Sequence, residues 1–93
     1  MMIKTWRHKG LKYFFETGVT RGIQAKHRSN LSLILLQLAS AVKAEDMNTP
    51  GNHFHKLAGK YQSFYSVKVN ANWRIIFKFE EGHAFDCDYL DYY

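Results

Sequence analysis

Cysteine is almost missing from this sequence. Cys87 stands alone, which excludes an internal disulfide and most structural zinc patterns and suits a reducing compartment. No apolar run approaches the ~20 residues of a membrane-spanning helix, and the first residues lack the charged-then-apolar layout of a secretory signal. The cytoplasm is therefore the expected compartment, with no membrane partner. No glycine-rich phosphate loop, nucleophile elbow or Cys–His pairing signature occurs, so the standard hydrolase readings have no support. Repeats and low-complexity segments are absent as well. Acidic residues are the scarcer charge: eight Asp and Glu face thirteen Lys and Arg, a formal net charge of +5.

What is present fits one small domain, expected to span residues 1–93. The 46% hydrophobic and 16% aromatic content supports a compact core without staples and argues against disorder. The isoelectric point near 9.4 favours encounter with polyanions. Lys4, Arg7, Lys9, Lys12, Arg21, Lys26 and Arg28 crowd the N-terminal third, whereas Asp86, Asp88 and Asp91 collect in the tail.

The hydrophobic pattern divides the chain. Residues 2–7 alternate as a short strand, and residues 10–17 place Leu11, Phe14 and Phe15 at helical spacing before a stop at Gly18. Residues 25–43 form the clearest helix, with Ser29 or Asn30 as alternative caps for a later start. Leu31, Ile34, Leu35, Leu38 and Val42 share a stripe that Leu33, Leu36 and Ala39 widen. So broad a face predicts packing on a sheet and on another helix as well. Residues 45–52 read as a loop, ending in Asn48-Thr49-Pro50-Gly51.

The period then switches to two. Tyr65, Val67 and Val69 share one face, with Phe64, Ser66 and Lys68 on the other. Trp73, Ile75, Phe77 and Phe79 face the core opposite Arg74, Ile76 and Lys78, and Phe85, Cys87 and Tyr89 form the last inward face. Asn70-Ala71-Asn72 and Glu80-Glu81-Gly82-His83 are the two turns. One strand, then helices, then an antiparallel meander make an α+β fold with helices on one face of the sheet.

Few residues offer chemistry. His53 and His55 are two apart, on one side of a strand, but no third or fourth ligand stands at matching spacing, so no metal or cofactor is expected. Arg74 is either a surface cation countering a carboxylate or a guanidinium clamping a phosphate, a role its planar fork suits. The terminal Asp91-Tyr92-Tyr93 is either sheet packing or the rim of a site.

Two stretches resemble the HigB-type toxins of the RelE superfamily. One is Pro50-Gly51-Asn52-His53-Phe54-His55-Lys56-Leu57-Ala58-Gly59; the other is Tyr65-Ser66-Val67-Lys68-Val69-Asn70-Ala71-Asn72-Trp73-Arg74-Ile75. Ile3-Lys4, His8-Lys9-Gly10-Leu11, Phe15-Glu16 and the tail Tyr89-Leu90-Asp91-Tyr92 extend the likeness over nearly the whole chain. The resemblance implies a RelE-like fold and the toxin of a toxin–antitoxin pair. Such a toxin enters the ribosomal A site, contacts ribosomal RNA, cuts the bound mRNA without a metal, and is neutralised by a helix-turn-helix, HigA-like antitoxin. It places His55, Arg74, Asp91, Tyr92 and Tyr93 at catalytic positions and makes Lys56, Lys60 and Asn72 candidate RNA contacts. Two positions depart from the family: Tyr93 stands where members commonly carry His, and Ala58 where many carry Lys.

Cleavage through the ribose 2′-hydroxyl needs a base, an acid and positive charge at the crowded phosphate. Arg74 is expected to supply the charge, and His55 to carry the proton, because imidazole titrates near ~6.5. Asp91 would orient a partner or share the base role, and Tyr92 would stack on a base or bond to phosphate. A phenol with a pKa near ~10 is a poor neutral-pH base, so Tyr93 predicts lowered cleavage. The rival reading is a catalytically impaired module that binds antitoxin and ribosome without cutting. A DNA-binding domain is disfavoured, because no helix-turn-helix is recognisable and the long helix is too apolar for a groove.

Overall fold

The structure is a computed structural model, and it describes residues 2–91. Helix α1 (Lys9–Thr17) opens with the His8 ring, whose Nδ1 accepts the Leu11 N–H at 2.9 Å, and closes at Gly18 in the left-handed region (φ 80). The long helix begins later than its apolar pattern suggests. A 3-10 turn, Ala25–His27, leads into α2 (Arg28–Ser40). Its end has an identifiable cause: the Asp46 carboxylate accepts the N–H groups of Val42 and Lys43 at 2.8 and 3.2 Å. That starts a second 3-10 turn, Ala44–Met47, inside the expected loop.

Four antiparallel strands follow in spatial order β1 (His55–Lys56), β2 (Tyr65–Asn70), β3 (Trp73–Glu80) and β4 (His83–Asp91). The α+β architecture expected from the pattern is the one observed. The N-terminal segment differs. Residues 2–7 make only two isolated parallel bridges to β4, Ile3↔Ala84 and Trp6↔Cys87. A bulge at Asp86 (φ 53) interrupts the ladder between them. Thr5 fills the gap, its Oγ1 accepting the Asp86 N–H at 2.8 Å and donating to the Asp86 carboxylate at 3.2 Å. The same bulge overturns one strand-face assignment: Phe85 pairs with Lys78 and Ala84 with Phe79, so Ala84 points inward with Cys87 and Tyr89.

The main core lies between the helices and one sheet face. Leu11, Phe14, Leu31, Leu35 and Leu38 pack on Val67, Ile75, Phe77 and Cys87. The wide stripe of α2 is not covered twice. Leu33, Leu36 and Val42 remain 70%, 60% and 62% exposed, because α1 reaches only one flank of the helix. The opposite sheet face is partly roofed by residues 57–64, where Leu57 and Phe64 bury Ile76, with Tyr61 and Leu90 packed alongside. Beyond that roof the face is open, and there the site lies.

Candidate active site

Directly paired residues of an antiparallel sheet share a face, so the register defines the site. One row across the open face runs Lys68–Arg74–Leu90, and the next runs His55–Ser66–Ile76–Asp88. Arg74 and His55 therefore project from the same side. They stand two strands apart, about 10 Å at the ~4.8 Å strand spacing, and one row out of step.

Arg74 occupies the middle of the sheet at the end not covered by the 57–64 roof. Its Nε and Nη1 are withdrawn from solvent and have no hydrogen-bond partner among the described residues. Buried donors of a cation normally find an acceptor, because leaving them unmade carries the full desolvation penalty. A guanidinium held this way is ready to take an anion. The Ser66 hydroxyl, one strand away, is also buried without a partner.

His55 is exposed, and its Nδ1 lies 3.1 Å from the carbonyl oxygen of His53. A carbonyl can only accept, so Nδ1 carries the hydrogen and Nε2 is the ring nitrogen left open to another partner. His53 itself sits in the left-handed region (φ 48), an uncommon conformation for a residue with a side chain.

The other sequence-derived candidates scatter. Asp91 pairs with Trp73, which puts it on the helix side of the sheet end rather than in Arg74's row. The carboxylate that shares Arg74's face is Asp88, whose Oδ1 accepts the Tyr89 N–H at 2.9 Å. Lys56 pairs with Tyr65, away from His55's face, and lines an open hollow of about 560 Å³ with Gln62, Ser63 and Lys78. Its Nζ stands 5.9 Å from the Tyr65 ring. Lys60, in the 3-10 turn Gly59–Tyr61, holds its Nζ 5.3 Å from the Tyr61 ring. Asn72 is exposed in the β2–β3 turn, beside Ala71 at φ 50. Tyr92 and Tyr93 lie outside the described residues. No group of three or more His, Cys, Asp or Glu side chains is placed to hold a metal ion among the described residues.

Sequence reasoning missed the support behind the site. His27 is buried, and its Nδ1 lies 2.6 Å from the Tyr89 hydroxyl. Burial, with the nearby charge of Lys26, lowers its pKa, which keeps the ring neutral. Burial raises the Tyr89 pKa, with the Gln24 N–H opposing the shift. Trp73 stacks on Tyr89 with ring centres 4.6 Å apart, and Asn30 Nδ2 donates to the Val69 carbonyl at 2.8 Å. Together these contacts pin the sheet end that presents Arg74. Lys68 was assigned to the correct face by alternation, but only the register puts it directly beside Arg74.

Comparison with known proteins identifies the family. The family model described as the RelE-like toxin of the type II toxin–antitoxin system HigB matches residues 4–93. Endoribonuclease HigB of Proteus vulgaris is 38% identical over 92 residues, covering 99% of this chain and 100% of the relative. Toxin HigB-1 of Vibrio cholerae is 30% identical over 92 residues, covering 97% of this chain and 96% of the relative. The chain belongs to the HigB-like family, the RelE-like toxins of type II toxin–antitoxin systems.

Proposed function

We propose that this chain is a single-domain, cytoplasmic endoribonuclease, the toxin of a type II pair, which cuts mRNA in the ribosomal A site without a metal. A HigA-like helix-turn-helix antitoxin is its neutralising partner, and ribosomal RNA its docking surface. The observation that carries this reading is the Arg74 guanidinium, with two buried nitrogens that have no partner among the described residues, on the face it shares with His55. An anion with several oxygens is the group that satisfies such a fork. Sequence likeness over 99% of this chain to a relative named Endoribonuclease HigB supports the same chemistry.

In the mechanism, the ribose 2′-oxygen attacks the adjacent phosphorus as a base takes its proton. The 5′-oxygen leaves and is protonated, giving a 2′,3′-cyclic phosphate and a 5′-hydroxyl. Arg74 neutralises charge building on the non-bridging oxygens. His55, with Nδ1 committed to the His53 carbonyl, presents Nε2 for proton transfer. Asp91 ends β4 off this face, and the sequence after it, Tyr92 and Tyr93, holds the remaining catalytic candidates, while Lys56, Lys60 and Asn72 contact RNA outside the cutting centre.

Primer extension on a translated message tests the proposal. Added chain produces cuts at A-site codons, and Arg74→Ala loses on the order of 10²–10³ in rate with an unchanged melting temperature. Uncut message, or a melting temperature that collapses with Arg74→Ala, refutes it. One observation favours a second reading: Tyr93 in place of the family's His describes a module that binds antitoxin and ribosome without cutting. Tyr93→His separates the two readings. Faster cutting than the parent supports an attenuated nuclease, whereas binding without product in both proteins supports the binding module.

A further inference from the structure

Lys68 and Arg74 are directly paired across β2 and β3, on the open face. Cα atoms of such pairs lie about 5 Å apart, and like charges set opposite one another destabilise a sheet. Nothing among the described residues relieves this pair: the one ion pair there joins Lys78 to Asp86 at 3.3 Å, farther along the sheet. Asp88, the carboxylate of the neighbouring row, is engaged by the Tyr89 N–H. The Lys68 main-chain N–H donates to the Asn52 carbonyl at 2.7 Å, which holds the strand at this point. Two cations thus stand side by side, and among the described residues the buried Nε and Nη1 of Arg74 have no acceptor.

From this arrangement we infer that Lys68 is a further RNA-binding residue, which with Arg74 forms a two-cation cradle for the phosphodiester backbone of single-stranded RNA. The inference rests on the nuclease reading and deepens it. Arg74 grips the reacting phosphate through its fork, while Lys68, a point charge on a flexible stem, neutralises the strand beside it. Lys68 thus acts on binding, and Arg74 on both binding and turnover.

The test uses the full chain and a single-stranded RNA with 2′-O-methyl groups, which lacks the attacking hydroxyl and cannot be cut. Affinity is measured from low to physiological salt for the parent, Lys68→Gln and Lys68→Arg. Lys68→Gln is expected to bind about tenfold more weakly. Its slope of log affinity against log salt is shallower by about 0.7, the loss of one phosphate contact on a single strand. Lys68→Arg keeps the parent's affinity and slope. On cleavable message, Lys68→Gln raises KM and leaves kcat unchanged. Because a like-charge contact has been removed, it melts no lower than the parent.

Unchanged affinity and slope in Lys68→Gln overturn the cradle, as does a lowered melting temperature or an equal loss in Lys68→Arg. The two readings fail separately. Cutting that depends on Arg74 but is indifferent to Lys68 leaves the nuclease standing and removes the cradle. A Lys68-dependent salt slope in a chain that never cuts does the reverse.

Discussion

The two faces of the sheet are built on opposite terms. On the helix side Val67, Ile75, Phe77 and Cys87 are fully buried, and the polar groups that enter are partnered, as in the His27–Tyr89 contact. On the other side Ser66 and Arg74 keep buried polar atoms without partners among the described residues, and Lys68 faces Arg74 as a like charge. Stability is therefore concentrated on one face. The other carries unsatisfied groups that fold neutrally at best and become favourable when an anion arrives. One strand, β3, serves both purposes by alternation alone.

The sharpest way to break this contrast is to exchange the effects of two β3 residues. Phe77→Ala should cost about 3–5 kcal/mol by leaving a cavity, read as a large fall in the denaturation midpoint, with rate loss only in proportion to unfolding. Arg74→Ala, three residues earlier, should do the opposite: rate falls and the midpoint holds. If Phe77→Ala were tolerated, the helix-side core would not be what secures the sheet.

A smaller effect comes from pH. His27 has its pKa lowered in the folded chain, chiefly by burial, and so does His83, where burial again leads, Lys4 adds to it and Glu81 opposes it. The unfolded chain binds these protons more readily, so stability is highest above the ordinary histidine value of 6.5 and declines as pH falls below it, levelling off once the folded rings protonate. Thermal melts between pH 7.5 and 5 should show this decline, and His27→Gln should flatten part of it. A parent chain that grows more stable on acidification would contradict the neutral, buried His27.

The smallest effect belongs to the outer face of α2. Leu33→Ser should change stability by less than about 0.5 kcal/mol, since Leu33 is 70% exposed. A concentration-dependent melting loss would instead place that leucine in an assembly and reassign part of the core to a partner.

Much of this was legible in the residues. Period two from Tyr65 onward marked the meander, and the alternation around Trp73, Ile75 and Phe77 put Arg74 on the face opposite the core, as the register bears out. Apolar spacing in α2 identified Leu31, Ile34, Leu35 and Leu38 as core, but could not say how far that face extends, and Leu33, Leu36 and Val42 proved exposed. The strand expected at residues 2–7 shrank to two bridges, because a bulge in its partner is a property of the pair rather than of either segment. The family resemblance grouped Asp91 with Arg74, yet its register partner is Trp73. His27 carries no distinguishing signal in the sequence, and burial against Tyr89 gives it a structural role.

Local pattern by itself determined the two helices and the three-stranded meander, which way Arg74 points, and that the chain is basic enough to seek a polyanion, since each follows from composition or from neighbours a few residues away. Only the tertiary structure decided which residues stand side by side: His55 in the row next to Arg74, Lys68 directly against it, Asp88 on its face and Asp91 off it. Those pairings depend on strand register, and register is set by turns, by irregularities at Asp86 and between Lys68 and Asn70, and by the packing of distant helices, none of which a residue's own neighbours encode.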